Sequence, residues 1–177
     1  MGDDDAMSDP LISASDLARL LDDVTILDVR YRMGGVGGPD EYAAGHVPGA
    51  AYVDMDEALA APPGRGGRHP LPDPEVFGAA MRRAGVSLGR PVVVYDDWAG
   101  HAAGRCWWLL RHHGHGDVRV LDGGWPAWRG AGGAVETGEP DVAPGDFEPG
   151  PGRLPVVGAD GVLDVPVLGD ARASERY

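Results

Sequence analysis

The fold is decided by residues 91–111, PVVVYDDWAGHAAGRCWWLLR. The run from Val92 to Tyr95 is β-branched and aromatic without interruption, which predicts a buried strand. From Ala102 onward the apolar residues recur at helical spacing, which predicts a helix that ends near His113. A second short strand is predicted at residues 118–121. The order strand, loop, helix, strand is typical of a βαβ unit in a parallel sheet.

The loop at residues 96–101 joins the predicted strand to the predicted helix. A loop in this position presents several backbone N–H groups on one side, and the helix dipole adds positive potential there. It is therefore suited to hold an anion or a reactive thiolate. The loop opens with Asp96, whereas the single cysteine, Cys106, falls inside the predicted helix. We expect that thiol to be buried and unreactive.

Several spaced motifs resemble those of the rhodanese family, and together they run from about Pro10 to Val135. The resemblance is closest to the N-terminal domain of two-domain thiosulfate or 3-mercaptopyruvate sulfurtransferases. It implies an α/β fold, a mostly parallel sheet with helices on both faces. The motifs are VVVYD at 92–96, RCWW at 105–108, LDGGW at 121–125, LDVR at 27–30, GHVPGA at 45–50 and RHPLP at 68–72.

The same resemblance assigns roles to individual residues. In such tandem enzymes the N-terminal domain carries Asp where the catalytic domain carries its Cys, and Asp96 matches that pattern. We therefore expect no catalytic residue in this domain, with Asp97 and Trp98 in the same non-catalytic loop. His69 and His101 are expected on the face turned towards a partner domain. Neither a cofactor nor a metal is implied.

The composition changes after Val135. Residues 136–155 are rich in Gly, Pro and acidic residues, which predicts a linker. The stretch LGDAR at 168–172 then echoes LDVR at 27–30, so 156–177 is predicted to be the incomplete start of a second rhodanese-like copy. We divide the chain into a disordered N-terminus (1–9), one rhodanese-like domain (10–135), this linker and the stub.

The stub contains one candidate for substrate binding. By resemblance, Arg172 matches the arginine that binds the substrate anion in the catalytic domain of the tandem enzymes. An arginine paired with Asp170 or Glu175 is the alternative reading. If a complete second copy follows, the reactive Cys is expected there, in a domain missing from this chain.

Charge and composition exclude several classes of function. The formal net charge of −13 argues against nucleic acid or an anionic membrane as a partner. No stretch approaches the ~18 apolar residues of a membrane-spanning helix. One Cys excludes an intrachain disulfide and fits a reducing compartment, which predicts a cytoplasmic protein. His112, His113 and His115 cluster at a predicted helix end, where cap interactions are favoured over a metal site.

These observations leave two main hypotheses. In the first, the chain is part of a sulfurtransferase that moves sulfane sulfur from thiosulfate or 3-mercaptopyruvate to cyanide or a thiol through a Cys persulfide. In the second, it is a non-catalytic rhodanese-homology module with a structural or regulatory role. A phosphatase of related fold is disfavoured, because that chemistry needs Cys and Arg within one loop.

Overall fold

The computed structural model describes residues 9–32 and 37–169, which form one parallel sheet flanked by helices. The strands are β1 Leu11–Ile12, β2 Thr25–Asp28, β3 Ala51–Tyr52, β4 Val92–Tyr95 and β5 Val118–Leu121. Their order across the sheet is β1-β5-β4-β2-β3, and every pair of neighbours is parallel. The predicted βαβ unit is confirmed, because β4 and β5 lie side by side with a helix between them in sequence.

In the described part of the chain, six α-helices connect or follow the strands. They are α1 Ala14–Leu17, α2 Gly38–Ala44, α3 Met55–Ala58, α4 Pro74–Arg83, α5 His101–His112 and α6 Gly124–Gly130. The side chain of Ser13 accepts a hydrogen bond from the backbone N–H of Asp16, so it caps α1. Asp73 caps α4 in the same way, just before a proline in the first turn.

Helices cover both faces of the sheet, as the resemblance implied. Successive side chains of β4 point to opposite faces, because a strand alternates with a period of two. One face packs against α4 and α5, and the other packs against α1 and α6. The residues are Val92, Val94, Phe77 and Leu110 on the first face, and Val93, Tyr95, Leu17 and Trp128 on the second.

Residues 136–153 lie along the domain, although their composition predicted a linker. Glu136 exchanges two backbone hydrogen bonds with His46, at 2.9 and 3.0 Å. Phe147 is completely buried and meets Phe77 edge to face. Farther along, the N–H of Gly150 donates to the carbonyl of His113 over 2.8 Å. One aromatic anchor and a few backbone bonds are enough to hold a segment whose composition resembles that of a loop.

Replacing Phe147 with alanine tests whether this segment belongs to the domain. The substitution leaves a cavity between α4 and α5, so we expect the free energy of unfolding to fall by about 3–5 kcal/mol. Denaturant unfolding at neutral pH measures the effect. The control is Val156→Ala, at a side chain that is 59% exposed, which should change stability by less than about 0.5 kcal/mol. Equal stability of the two variants would show that the segment is loosely attached.

Beyond residue 153 the chain is mostly exposed. A 3₁₀ turn at Val162–Asp164 is its regular element among the described residues, and Leu163 is 85% exposed. Residues 1–8 and 170–177 lie outside the described part of the chain. They include most of the predicted disordered N-terminus, and Arg172 with the possible partners Asp170 and Glu175. Within residues 9–32 and 37–169, no helix is long and apolar enough to cross a membrane.

Candidate functional site

The loop after β4 is built around the carboxylate of Asp96. One carboxylate oxygen accepts hydrogen bonds from the backbone N–H groups of Trp98 and Gly100, each over 2.9 Å. The other accepts from the N–H groups of Ala102 and Ala103, also over 2.9 Å. Asp96 is 1% exposed. Its carboxylate therefore occupies the positive N-terminal end of α5, where an anion is most stable.

The backbone of Asp96 is held from the opposite side by the start of α6. The N–H of Trp125 donates to the Asp96 carbonyl over 2.8 Å. Gly124 makes this close approach possible. Its φ is +56°, and a Cβ added there would lie 2.1 Å from the Asp96 carbonyl oxygen. The LDGGW motif is thus explained by the geometry that fixes the loop at residues 96–101.

This arrangement determines what the loop can do chemically. The four amides that are placed to stabilise a thiolate or bind an oxyanion already have the Asp96 carboxylate as their acceptor. A carboxylate is not a nucleophile that forms a stable persulfide. A second anion at the same amides would also be repelled at close range by the negative charge of Asp96. The structure thus supplies a physical basis for the expectation that this loop has no catalytic residue.

Asp97, the residue after Asp96, pairs with Arg32. The two guanidinium nitrogens of Arg32 donate to the two carboxylate oxygens over 2.7 and 2.5 Å, a bidentate geometry. Arg32 also lies 2.9 Å from Glu41. Burial alone would raise the pKa of Asp97, but the hydrogen bonds and charge of Arg32 outweigh it and hold that pKa below its ordinary value.

This pairing predicts a pH-dependent contribution to stability. A lowered folded-state pKa stabilises the fold above the unfolded carboxyl pKa of about 3.9, and the benefit disappears as pH falls through the folded value. Asp97→Asn should therefore lower the melting temperature at pH 7, and the gap to the parent should narrow as the pH falls below 4. Asp122→Asn, at an exposed aspartate, is the control. A gap of constant size from pH 7 down to the most acidic pH at which the parent stays folded would mean that packing, not charge, is responsible.

An aromatic surface lies next to this loop and contains both histidines predicted for the interdomain face. Trp98, 37% exposed, stacks on His101 with ring centroids 4.8 Å apart. Tyr31 lies 6.4 Å from Trp98 and 6.2 Å from His69, measured between ring centroids. The structure thus brings Trp98, His101 and His69 together, with Tyr31 between them. We call these four side chains the aromatic face.

Arg105 holds His69 in place, a role that the sequence motif alone did not reveal. Its guanidinium donates to the carbonyls of Leu59, His69 and Pro70, at 2.6, 3.0 and 2.8 Å. The loop before α4 is thereby tied to the first turns of α5. On the same loop, Nε2 of His69 lies 3.6 Å from a carboxylate oxygen of Asp56. The half-buried Arg105 binds three carbonyl groups through tertiary contacts. No local sequence pattern encodes such contacts.

Asp28 and Arg30 of the LDVR motif form a buried ion pair at the end of β2. Nε and Nη2 of Arg30 donate to the Asp28 carboxylate, the closest contact being 2.7 Å, and Nη2 also donates to the carbonyl of Gly45. The hydroxyl of Tyr95 donates to Asp28 over 2.6 Å. Burial, followed by the charge of Asp28, raises the pKa of Tyr95. The motif therefore ties β2, β4 and the GHVPGA turn together.

Cys106 is completely buried on the inner side of α5, as its position predicted. Burial raises the pKa of its thiol to about 12. At pH 8 the native protein should therefore react with a small thiol reagent about a thousandfold more slowly than an ordinary thiol of pKa about 8.5. The same protein unfolded in denaturant is the control. Rapid labelling of the native form would show that the helix opens or that the thiol is exposed.

The three histidines at the C-terminal end of α5 have structural partners. His113 contacts the carbonyl of Gly150 through Nδ1 over 3.0 Å, and His115 contacts that of Ser87 through Nε2 over 3.1 Å. His112 stacks on Trp108 with centroids 4.5 Å apart. In the part of the chain that the structure describes, no three His, Cys, Asp or Glu side chains are grouped as a metal site.

Known proteins resemble this chain in sequence. A family model described as "Rhodanese-like domain" matches residues 13–131. The Mycobacterium tuberculosis protein named "Putative thiosulfate sulfurtransferase SseB" is 47% identical over 133 residues, which are 73% of this chain and 47% of that protein. The Pseudomonas aeruginosa protein named "Probable 3-mercaptopyruvate sulfurtransferase" is 39% identical over 178 residues, 94% of this chain and 63% of that protein.

Solved structures also match the fold. The structure of 3-mercaptopyruvate sulfurtransferase from Leishmania major superposes with a TM-score of 0.82 and 29% sequence identity. The match covers 96% of this chain and 48% of that chain. The chain spans about half the length of the Mycobacterium tuberculosis and Leishmania major proteins and 63% of the length of the Pseudomonas aeruginosa protein.

Proposed function

Because the chain belongs to the rhodanese-like domain family, we propose that it is the N-terminal, non-catalytic part of a tandem sulfurtransferase. Its relatives are named as sulfurtransferases for thiosulfate or 3-mercaptopyruvate, which supports this general activity. The observation that carries the proposal is the Asp96 carboxylate, which accepts four backbone N–H groups. Because the Asp96 carboxylate already occupies these N–H groups, the loop supports a scaffolding role, and the nucleophile belongs to a second domain.

The proposed reaction is a double displacement. A cysteine thiolate of the partner domain attacks the outer sulfur of thiosulfate or the thiol sulfur of 3-mercaptopyruvate, and a Cys persulfide forms. The S–S bond of thiosulfate breaks and sulfite leaves, or the C–S bond of 3-mercaptopyruvate breaks and the enolate of pyruvate leaves and takes up a proton. Cyanide or a thiol then attacks the outer sulfur, which restores the thiolate and yields thiocyanate or a new persulfide. No cofactor or metal takes part, and the reducing cytoplasm that we propose as its location keeps the thiolate available.

The aromatic face is the part of this domain that we propose to meet the partner domain. Tyr31, Trp98 and His101 offer partly exposed rings, and aromatic side chains are enriched in protein interfaces. Arg105 fixes the loop of His69 beside them. Residues 156–169 leave the domain with apolar side chains exposed, as expected for the start of a second copy whose core lies elsewhere. Arg172 then belongs to the donor site of that copy.

The experiment is a sulfur-transfer assay with and without a second domain. We would supply a rhodanese-like domain that carries Cys at the loop position matching Asp96, joined to the C-terminal end of this chain. Thiocyanate formation from thiosulfate and cyanide, or pyruvate release from 3-mercaptopyruvate, should appear only in the joined protein. Trp98→Ala should lower its turnover, whereas Arg19→Ala, at an exposed side chain just after α1, should not. A joined protein that docks but transfers no sulfur would favour the non-catalytic module instead.

A further inference from the structure

Residues 145–153, which we call the strap, are attached to the domain through a small number of contacts. The N–H of Gly145 donates to the carbonyl of Arg82 over 2.8 Å, and the N–H of Phe147 donates to that of Val86 over 3.1 Å. The ring of Phe147 is completely buried in the core of the domain. The strap has no role in the proposed sulfur transfer.

A buried histidine, His115, lies beside the anchor of the strap. It is 1% exposed, and its ring centroid is 6.1 Å from that of Phe147. Nε2 lies 3.1 Å from the carbonyl oxygen of Ser87, so the neutral ring carries its hydrogen on Nε2 and donates it there. Nδ1 is buried without a hydrogen-bond partner among the described residues. The hydroxyl of the same Ser87 accepts from the N–H of Asp146 over 3.1 Å, so this serine joins the histidine to the strap.

The surroundings of His115 favour its neutral form. Burial lowers the pKa of His115 and outweighs its contacts with the backbone of Ser87 and Arg90 and the charge of Asp117, which act in the opposite direction. A protonated ring would place a charge beside the apolar ring of Phe147. The titratable and charged groups on the neighbouring elements are Arg82 of α4, Arg90 before β4, His113 at the end of α5, Asp117 before β5, and Asp146 and Glu148 of the strap.

We propose that the strap is a pH-sensitive attachment, which leaves the domain when His115 takes up a proton. Once Phe147 has left its site, water reaches the His115 ring and its pKa returns to about 6.5. Below about pH 6.5 the released form therefore binds a proton that the attached form resists. The ratio of released to attached strap then rises by up to about tenfold between pH 7.5 and pH 5.5, whereas above this window it is constant.

Release of the strap would change how the rest of the chain is held. Residues 154–169 follow the strap directly and are mostly exposed, so the strap is their point of attachment to the domain. A proton at His115 would thus lengthen the free segment between the domain and these residues. The inference concerns this chain alone, and it holds or fails independently of the proposed sulfur transfer.

Hydrogen exchange of the purified 177-residue chain measures the release. The amides of Gly145, Phe147 and Gly150 report on the strap, and those of β4 report on the sheet. We expect the protection of the strap amides, corrected for the intrinsic effect of pH on exchange, to fall about three- to tenfold from pH 7.5 to pH 5.5. At both pH values they should exchange faster than the β4 amides, because the strap opens without the sheet. Equal protection of strap and sheet would overturn the inference.

Two variants test whether His115 is the group responsible. His115→Gln cannot titrate, but its side-chain amide can still donate to the Ser87 carbonyl, so strap protection should be the same at both pH values. His101→Gln, at an exposed histidine, is the matched control and should lose protection as the parent does. A loss of protection that persists in His115→Gln, or that disappears in His101→Gln, would contradict the proposal.

The ring signals of His115 in the unaltered chain give a second measurement, which does not depend on the folding of a variant. Because burial lowers the pKa of His115, its ring C–H signals should titrate at a lower pH in the native chain than in denaturant. A native ring that titrates at the same pH as in denaturant, or at a higher one, would show that proton uptake does not favour release.

Discussion

Replacing Asp96 with alanine is expected to lower the free energy of unfolding by about 3–5 kcal/mol, because four backbone N–H groups lose a charged acceptor at once. The four hydrogen bonds are all 2.9 Å long, and the N–H groups of Ala102 and Ala103 are buried. A single charge-assisted bond is worth about 1.5–3 kcal/mol. Water can replace part of the loss at Trp98 and Gly100, so the sum of four such bonds is an upper limit.

Asp96→Asn separates the role of charge from that of size. An asparagine offers one carbonyl oxygen in place of two carboxylate oxygens, and its NH₂ group would face amide N–H groups. We therefore expect it to be destabilised nearly as much as Asp96→Ala. Asp122→Ala removes an exposed carboxylate from the nearby turn and should change stability by less than about 0.5 kcal/mol. Chemical denaturation of the three variants measures the differences. An Asp96→Ala protein as stable as the Asp122→Ala control would refute the view that the Asp96 carboxylate stabilises the loop at residues 96–101.

The central part of the fold was predictable because its signals are local. β4 and β5 have the bounds that were predicted for them. β4 is a continuous apolar run, as a strand buried on both faces of a parallel sheet requires, whereas Arg119 interrupts β5. The place of Asp96 at the start of the loop followed from the same reasoning. Its four acceptor bonds follow from where that carboxylate stands relative to the helix N-terminus.

The parts that were not predicted depend on contacts between distant residues. Residues 136–153 contain many Gly and Pro residues, so their composition resembles that of a linker. The backbone bonds of Glu136 and Gly150 and the buried ring of Phe147 show that they pack on the domain. Asp97 is separated from Arg32 by 65 positions, and Arg105 from Leu59 by 46. Charged residues at such separations carry no periodic pattern. The aromatic face was therefore only partly anticipated, because the structure adds Tyr31 to it and shows that Arg105 anchors the loop of His69.

The second large effect concerns catalysis. We expect the purified 177-residue chain to transfer no sulfur above background, either from thiosulfate to cyanide or from 3-mercaptopyruvate to a thiol. A persulfide requires a thiolate at the mouth of the strand-loop-helix pocket, where amides and the helix dipole lower its pKa. Asp96 holds that position with an oxygen nucleophile. The single Cys106 is completely buried and its pKa is raised to about 12, so almost none of it is thiolate at neutral pH.

The Cys106→Ser variant shows where any residual turnover comes from. Serine is nearly isosteric and cannot form a persulfide, although its hydroxyl in an apolar site costs some stability. Turnover that survives the substitution would place the chemistry outside the thiol, and this assignment of roles would be wrong. Turnover abolished by it would mean instead that α5 opens enough to expose Cys106. Labelling of the native thiol, measured on the same preparation, must then be fast, so the two experiments have to agree.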